Sequence, residues 1–281
     1  MGALQQCPPM NLLQRSLIEK AGHDHGFEHV VASEPDGVLL ASARHAASAQ
    51  VITQPAGGYL LRLHTETPAL LPEMSRSFPQ QSQIDGFSAN TIASLATLLR
   101  RAAGLARALP SQAANDYEAT VAGQLAQLPA NIGGTEVERL VRQRVGQQKF
   151  RETMLDYWGG ACAVTAVALP EVLRASHAKP WAECASDAER LDVFNGFLLV
   201  ANLDALFDRF LISFDDGGRL LISPTLTDEI RSRLGLHPGM ALRWLSDAHR
   251  GYLAWHRTRL QRVCRILCKR TVHRRRKLAY P

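Results

Sequence analysis

The stretch ASHAKPWAECASDAERLDVFNGFLLVANLDALFDR, residues 175–209, decides how this chain reads. It holds one histidine, His177, then Asn195, then two aspartates four apart, Asp204 and Asp208. A neutral imidazole takes a proton from water near neutral pH. The amide of Asn195 is expected to hold that imidazole in one tautomer and orientation, as the third member of a base-and-orienter set does. Residues four apart on a helix share a face, so Asp204 and Asp208 can grip one divalent cation from the same side. Together these are the groups that metal-assisted phosphodiester hydrolysis needs. Singly, each has a plainer reading: a hydrogen-bonded histidine, a turn at Asn195-Gly196, an exposed helical aspartate. Their order and spacing favour the chemical reading.

Flanking blocks extend the pattern from about Thr135 to Ser223. They are Val-Gly-Gln-Gln-Lys-Phe-Arg (145–151), Cys-Ala-Val-Thr (162–165), Ser-His-Ala-Lys-Pro-Trp (176–181), Arg-Leu-Asp-Val-Phe-Asn-Gly (190–196) and Leu-Asp-Ala-Leu-Phe-Asp-Arg (203–209). In this order they resemble the HNH endonucleases of the ββα-metal fold, in particular the restriction-type branch. The resemblance implies that His177 is the general base, that Asn195 positions it, and that Asp204 and Asp208 occupy ligand positions on the following helix. It also implies cleavage to 5′-phosphate and 3′-hydroxyl ends. Three positions depart from the pattern: Ser176 stands where many members carry an acidic or histidine ligand, and Ala166 and Ala178 stand where a glycine and a β-branched residue are expected. With alanine at 166, the turn after Thr165 is expected to avoid positive φ.

The chain has 281 residues, 46% of them hydrophobic, enough for two domains or one large one with a proper core. No run approaches the ~20 apolar residues that span a bilayer, and the N-terminus lacks a basic start followed by an apolar stretch, so a cytoplasmic protein without membrane residence is expected. The cysteines, Cys7, Cys162, Cys184, Cys264 and Cys268, form no Cys-x-x-Cys pair, so free thiols rather than a structural zinc are expected. No glycine-rich phosphate loop occurs, which argues against a nucleotide cofactor. Charge is concentrated at one end: from His249 onward there are eleven Lys and Arg and no acidic residue, so that with a formal +6 overall the rest carries a net −5. Such a segment, Arg274, Arg275 and Arg276 included, suits a phosphate backbone, and a solvated charge run is the equal alternative. Tyr252 and Trp255 can stack on bases, but their helical spacing suits a core as well.

Along the chain, residues 28–64 alternate short apolar runs with turns at Pro35-Asp36-Gly37 and Gly57-Gly58, predicting a small antiparallel sheet. Residues 65–86, rich in Pro, Ser and Gln, read as a loop or linker. Ser88–Leu109 and Asn115–Leu128 have helical spacing, broken at Pro110-Ser111. A helix from Thr135 to about Trp158, opened by a Thr135/Glu138 capping box and stopped by Gly159-Gly160, is expected to bury Val137, Leu140, Val141 and Val145. Its Arg142, Lys149 and Arg151 would face outward, towards DNA or simply towards solvent. Ala161–Val164 and Val172–Ser176 read as strands, Asn202–Asp208 as a helix, and Leu211–Phe214 with Arg219–Ile222 as a hairpin. The cluster His23-Asp24-His25 with His29 has metal-binding residue types, but reads better as a polar loop before a strand.

The fold class expected is therefore α+β: a β-rich recognition or regulatory module (1–86), a helical connector (87–130), a ββα-metal HNH nuclease domain (131–248) and a basic C-terminal segment (249–281). The expected activity is hydrolysis of DNA by a divalent cation, Mg²⁺ first with Mn²⁺, Ni²⁺ or Zn²⁺ as alternatives, with Lys179 or Arg209 adding charge stabilisation. An imidazole titrating near ~6.5 predicts activity that falls as pH drops through that value. A homodimer would supply two sites for two strands. Two other readings stand beside this one: a DNA-binding protein on a degenerate nuclease scaffold, favoured by Ser176, Ala166 and Ala178, and a nuclease toxin or effector.

Overall fold

A computed structural model describes residues 10–110, 112–127 and 134–261. The chain divides into two compact units, 1–113 and 114–281.

The first unit is a six-stranded antiparallel sheet in the order β1-β2-β3-β4-β6-β5, with two helices packed against it and a third packed on one of these. The strands are β1 (His29–Ser33), β2 (Gly37–Ala41), β3 (Ser48–Thr53), β4 (Tyr59–His64), β5 (Ser82–Gln83) and β6 (Gly86–Ala89). The period-two alternation is visible in β3, where Ala49, Val51 and Thr53 are buried and their neighbours are not. The β3–β4 turn needs two glycines: Gly57 and Gly58 have φ of 89° and 86°. The helices are α1 (Leu12–Asp24), α2 (Leu70–Ser77) and α3 (Ile92–Ala108). Segment 65–86 is not a linker. It contains α2 and β5, and β6 begins at its last residue. Pro72 disguised the helix, yet it sits in the first turn, where the missing N–H has no intrahelical partner to lose. Leu70 and Met74 of α2 are fully buried. Helix α3 begins later than the sequence suggests because Ser88 and Ala89 belong to β6 and Thr91 caps the helix through Ser94.

The second unit opens with α4 (Gln112–Ala126) and the long α5 (Thr135–Trp158). Helix α5 ends where expected, with Gly159 in the left-handed conformation (φ 64°). Its start differs: Gly134 is the N-cap, and no side chain closes a capping box. Its buried residues also differ. Leu140 is 53% exposed and Val137 and Val141 are half-buried, whereas Val145, Phe150, Met154, Tyr157 and Trp158 form the inward stripe. The stripe therefore shifts to the C-terminal half of the helix, where aromatic side chains meet the rest of the unit.

Next comes an antiparallel hairpin, β7 (Leu173–His177) with β8 (Gly196–Val200), followed by α7 (Ala201–Phe207). This is the ββα order expected. The long loop between the strands carries the short helix α6 (Asp187–Leu191). Residues 161–164 form a turn rather than a strand, although Ala163 N–H bonds the Leu198 carbonyl of β8 at 2.6 Å. Contrary to expectation, Ala166 in this turn has φ 57°. A second hairpin, β9 (Ile212–Phe214) with β10 (Leu220–Ile222), precedes α8 (Asp228–Arg233) and a helix over 249–261. That last helix packs inward through His249, Leu253, His256 and Leu260, an i, i+4, i+7, i+11 stripe. Its polar side chains are engaged as well: Tyr252 donates to Asp192 (2.8 Å), Arg257 pairs with Asp216 and Arg259 with Glu183. Trp255 stacks under the Arg259 guanidinium, 4.6 Å from the ring centre. The core of the unit joins Trp158, Phe197, Phe207 and Phe214, with Trp244 stacked on Trp158 at 4.5 Å. Cys162 and Cys184 are buried free thiols; the other three cysteines lie outside the described residues.

Candidate active site

His177 is the last residue of β7 and pairs across the hairpin with Gly196, the first of β8. Phe150 of α5 stacks on its imidazole, with centroids 3.6 Å apart and planes at 14°. A Cβ at 196 would overlap both the Phe150 ring and the Ser176 carbonyl, so glycine is what lets the two rings meet. One turn earlier on α5, Gly146 makes room for Trp181, whose ring meets His177 edge-on at 6.0 Å.

The imidazole Nε2 lies 2.8 Å from the Arg190 carbonyl oxygen. A carbonyl only accepts, so Nε2 carries the proton and Nδ1 keeps the lone pair. Burial pulls the His177 pKa down to about 4, with the Arg190 hydrogen bond acting weakly in the opposite direction. The imidazole is therefore neutral across the neutral range, and its own titration lies well below the unperturbed ~6.5 expected from sequence.

Asn195 does not orient the imidazole directly. Its fully buried amide is spent on the loop backbone: Oδ1 accepts from Lys179 N–H (2.8 Å), and Nδ2 donates to the carbonyls of Lys179 and Glu189, both at 3.2 Å. It thus ties the two ends of the loop whose next residue, Arg190, presents the carbonyl to His177. Arg190 is the residue that the sequence reading missed. Its guanidinium donates to the carbonyls of Trp181 (3.2 Å) and Cys184 (3.0 Å) and pairs with Asp187 at 2.6 Å, gathering the loop around itself. Lys179 is paired with Glu189 at 2.7 Å, and Glu189 also accepts the Ala185 N–H.

The acidic side is built on α7. Buried Ser176 of β7 donates a short hydrogen bond to Asp204 Oδ1. Serine therefore acts at this position as a positioner of the carboxylate. Asp208, just past the helix, lines a cavity of about 270 Å³ with Ala175, His177, Pro180, Trp181 and Phe210. It keeps contact with solvent, yet the atoms around it and then the charge of Asp204 push its carboxyl up to about 6. Arg209 beside it is exposed and donates to the Ala205 carbonyl.

The structure therefore brings His177 and Asp208 to one cavity, with Asp204 joined to the strand through Ser176. Among the described residues, no three His, Cys, Asp or Glu side chains close into a metal-binding group. The three basic side chains of α5 expected to face outward, Arg142, Lys149 and Arg151, are used internally. Arg142 pairs with Glu138, Glu118 and Asp187 at 3.0–3.4 Å, and Lys149 with Asp116 at 3.1 Å. Arg151 donates to the Leu173 and Pro170 carbonyls at 2.7 and 2.9 Å. Arg274, Arg275 and Arg276 lie outside the described residues. No helix among the described residues is long and apolar enough to cross a membrane.

A comparison with curated proteins matches none to this chain. Residues 162–215 match the family model described as HNH endonuclease. His177, Asn195, Asp204 and Asp208 all fall inside that segment, on a ββα hairpin and helix, so this part of the chain is similar to the nuclease domain of the HNH endonucleases.

Proposed function

We propose that the protein is a metal-dependent endonuclease that hydrolyses DNA phosphodiester bonds, of the restriction type, with His177 as general base. The observation that carries this reading is the commitment of His177 Nε2 to the Arg190 carbonyl, which leaves Nδ1 as the basic nitrogen of a neutral imidazole lining the same cavity as Asp208. Nδ1 takes a proton from water, and the resulting hydroxide attacks phosphorus as the 3′-oxygen leaves. Phe150 and the Arg190 carbonyl keep the imidazole from rotating, so proton transfer needs little reorganisation.

Asp204 and Asp208 fit a hard divalent cation. They are oxygen donors four residues apart, and the burial and, after it, the Asp204 charge that raise the Asp208 carboxyl are what a bound cation would relieve. Magnesium is commonly held by only one or two carboxylates plus waters, so a three-residue set is not required. When bound, such a cation stabilises charge on the phosphoryl and leaving oxygens. Residues 1–113 serve in this reading as the part that selects DNA.

The test is cleavage of supercoiled plasmid, with and without base modification, by the purified protein in Mg²⁺, Mn²⁺ or EDTA. Metal-dependent nicking that drops ~10²–10⁴-fold in His177→Ala is expected. Binding without cleavage in every metal would favour instead a DNA-binding protein on an inactive scaffold, the reading that the engagement of Asp204 by Ser176 supports.

A further inference from the structure

A cavity of about 540 Å³ in the first unit lies where the end of α1, the loop before β3 and one face of α3 meet. Arg100, Ala103 and Arg107 of α3 line it at i, i+3 and i+7, one face of the helix, and Arg44 lines it from the loop. The chain builds this place with care. Glu28 accepts from Ala43 N–H (3.1 Å) and Ser42 Oγ (3.0 Å), and Ser42 Oγ in turn accepts the Arg44 N–H. His45 Nε2 donates to the Gly26 carbonyl at 3.0 Å, which ties the same loop to the α1–β1 turn. Gly26 has φ 93° and comes so close to Ala103 that a Cβ would overlap it.

The charges do not cancel within the cavity. Of its two acids, Glu28 is occupied by the loop and Asp24 by Lys20 at 2.8 Å. Arg100 leans on a ring nitrogen, donating Nε to His25 Nδ1 at 3.4 Å, and this requires a neutral imidazole there. Burial and the adjacent Arg100 both hold His25 in that form. Arg44 makes no side-chain ion pair among the described residues. Two guanidinium groups without a carboxylate partner among the described residues thus line one cleft, with Arg107 as a third lining group. The cleft has the volume usual for small-ligand sites, and a guanidinium fork matches phosphate oxygens in pairs.

We propose that this cleft is a phosphate-binding site of the first unit, taking either the backbone of DNA or a free nucleotide, with Arg44 and Arg100 as the principal contacts. The proposal is independent of the nuclease reading, because it concerns binding by another unit.

The test uses the full chain carrying His177→Ala, so that no DNA is cut, and titrates it with ATP and, separately, with a 12-base-pair duplex. The Arg44→Ala/Arg100→Ala variant in the same background is expected to lose at least tenfold in affinity for one of the two probes. Arg139→Ala, an exposed arginine of α5, is expected to lose nothing. A loss confined to the duplex assigns the site to DNA backbone, and a loss for ATP assigns it to free nucleotide. Failure of both probes to bind, or equal affinity with and without the two arginines, overturns the proposal. The Arg100→Lys variant guards against misfolding: it keeps charge and helix but loses the fork, and it should bind between wild type and alanine. Circular dichroism verifies that each variant is folded.

Discussion

His177 is held from three directions, by the Phe150 ring, the Arg190 carbonyl and its strand pairing with Gly196, whereas the Asp208 carboxylate of the same cavity makes no side-chain hydrogen bond among the described residues. Asp204 stands between these extremes, with the Ser176 hydroxyl as its hydrogen-bond partner among the described residues. If His177 is the base of the proposed reaction, it is immobilised by the protein itself, while Asp208 keeps the freedom to arrange around an ion. A base must be within hydrogen-bond reach of its water, so small errors in its position are costly. A cation can instead complete its own shell with water.

The sharpest way to break this contrast is Asn195→Ala. It removes the amide from the Lys179 N–H and from the carbonyls of Lys179 and Glu189, leaving the Lys179 carbonyl the weaker Cys184 thiol, and should cost about 3 kcal/mol of unfolding free energy. Urea denaturation measures this directly, and plasmid cleavage should fall with it at temperatures where the variant remains folded. A variant as stable as wild type would mean that the loop does not depend on this amide.

The acidic side should respond in the opposite sense. Asp208→Asn removes a charge that burial and Asp204 already disfavour, so stability is expected to stay level or rise. Cleavage should nevertheless fall at least ~10-fold, in line with what even outer-shell partners of a bound metal contribute, and recover partly at higher Mg²⁺. Loss of stability together with activity would put Asp208 in the same structural class as Asn195.

Acid provides a third and milder probe. His177 and His256 are both pulled to about 4 by burial, the latter between Ser213 Oγ (3.0 Å) and the Phe207 carbonyl (3.1 Å). With unfolded values near ~6.5, the unfolded chain binds more protons than the folded one between the two values. The stability is therefore complete above pH ~6.5 and is lost as pH falls towards 4. Urea midpoints between pH 7 and 4.5 should decline, and the decline should be shallower in His177→Gln and in His256→Gln. Parallel declines in all three proteins would show that neither imidazole resists protonation.

Much of this arrangement is legible in the sequence because it is local. The short apolar runs of 28–64 alternate with glycine-containing turns, and α5 stops at Gly159, which takes the left-handed conformation. His177 stands out because its neighbours in sequence carry the motif. What was not legible depends on backbone atoms or on distant residues meeting. The group that fixes the His177 tautomer is a main-chain carbonyl, and any residue at 190 could supply it; only the arginine's grip on 181, 184 and 187 makes the position special. Arg44, Arg100 and Arg107 are scattered in a segment without a basic run, and the sheet and α3 bring them to one cleft. The outward basic face assigned to α5 shows the converse, since its charges are visible in sequence and their acidic partners are not.

The smallest expected effect concerns the turn at 162–167, which is tied to β8 through Ala163 and Leu198 and so to the strand opposite His177. Its Cys162 Sγ lies 3.5 Å from the N–H groups of both Val164 and Thr165, and the Ala166 N–H donates back to the Cys162 carbonyl at 3.1 Å. Closing this loop puts Ala166 at φ 57°, where an L side chain costs about 1 kcal/mol or more and glycine costs nothing. Ala166→Gly removes that cost but also loosens the unfolded chain, which takes back about 0.4–1 kcal/mol. The net expectation is a gain of no more than about 1 kcal/mol in urea denaturation, with cleavage unchanged, because the turn supports the hairpin without touching the cavity. A destabilised glycine variant would show that the alanine methyl contributes packing worth more than the conformational strain, and that this edge of the hairpin is held by contacts rather than by turn geometry.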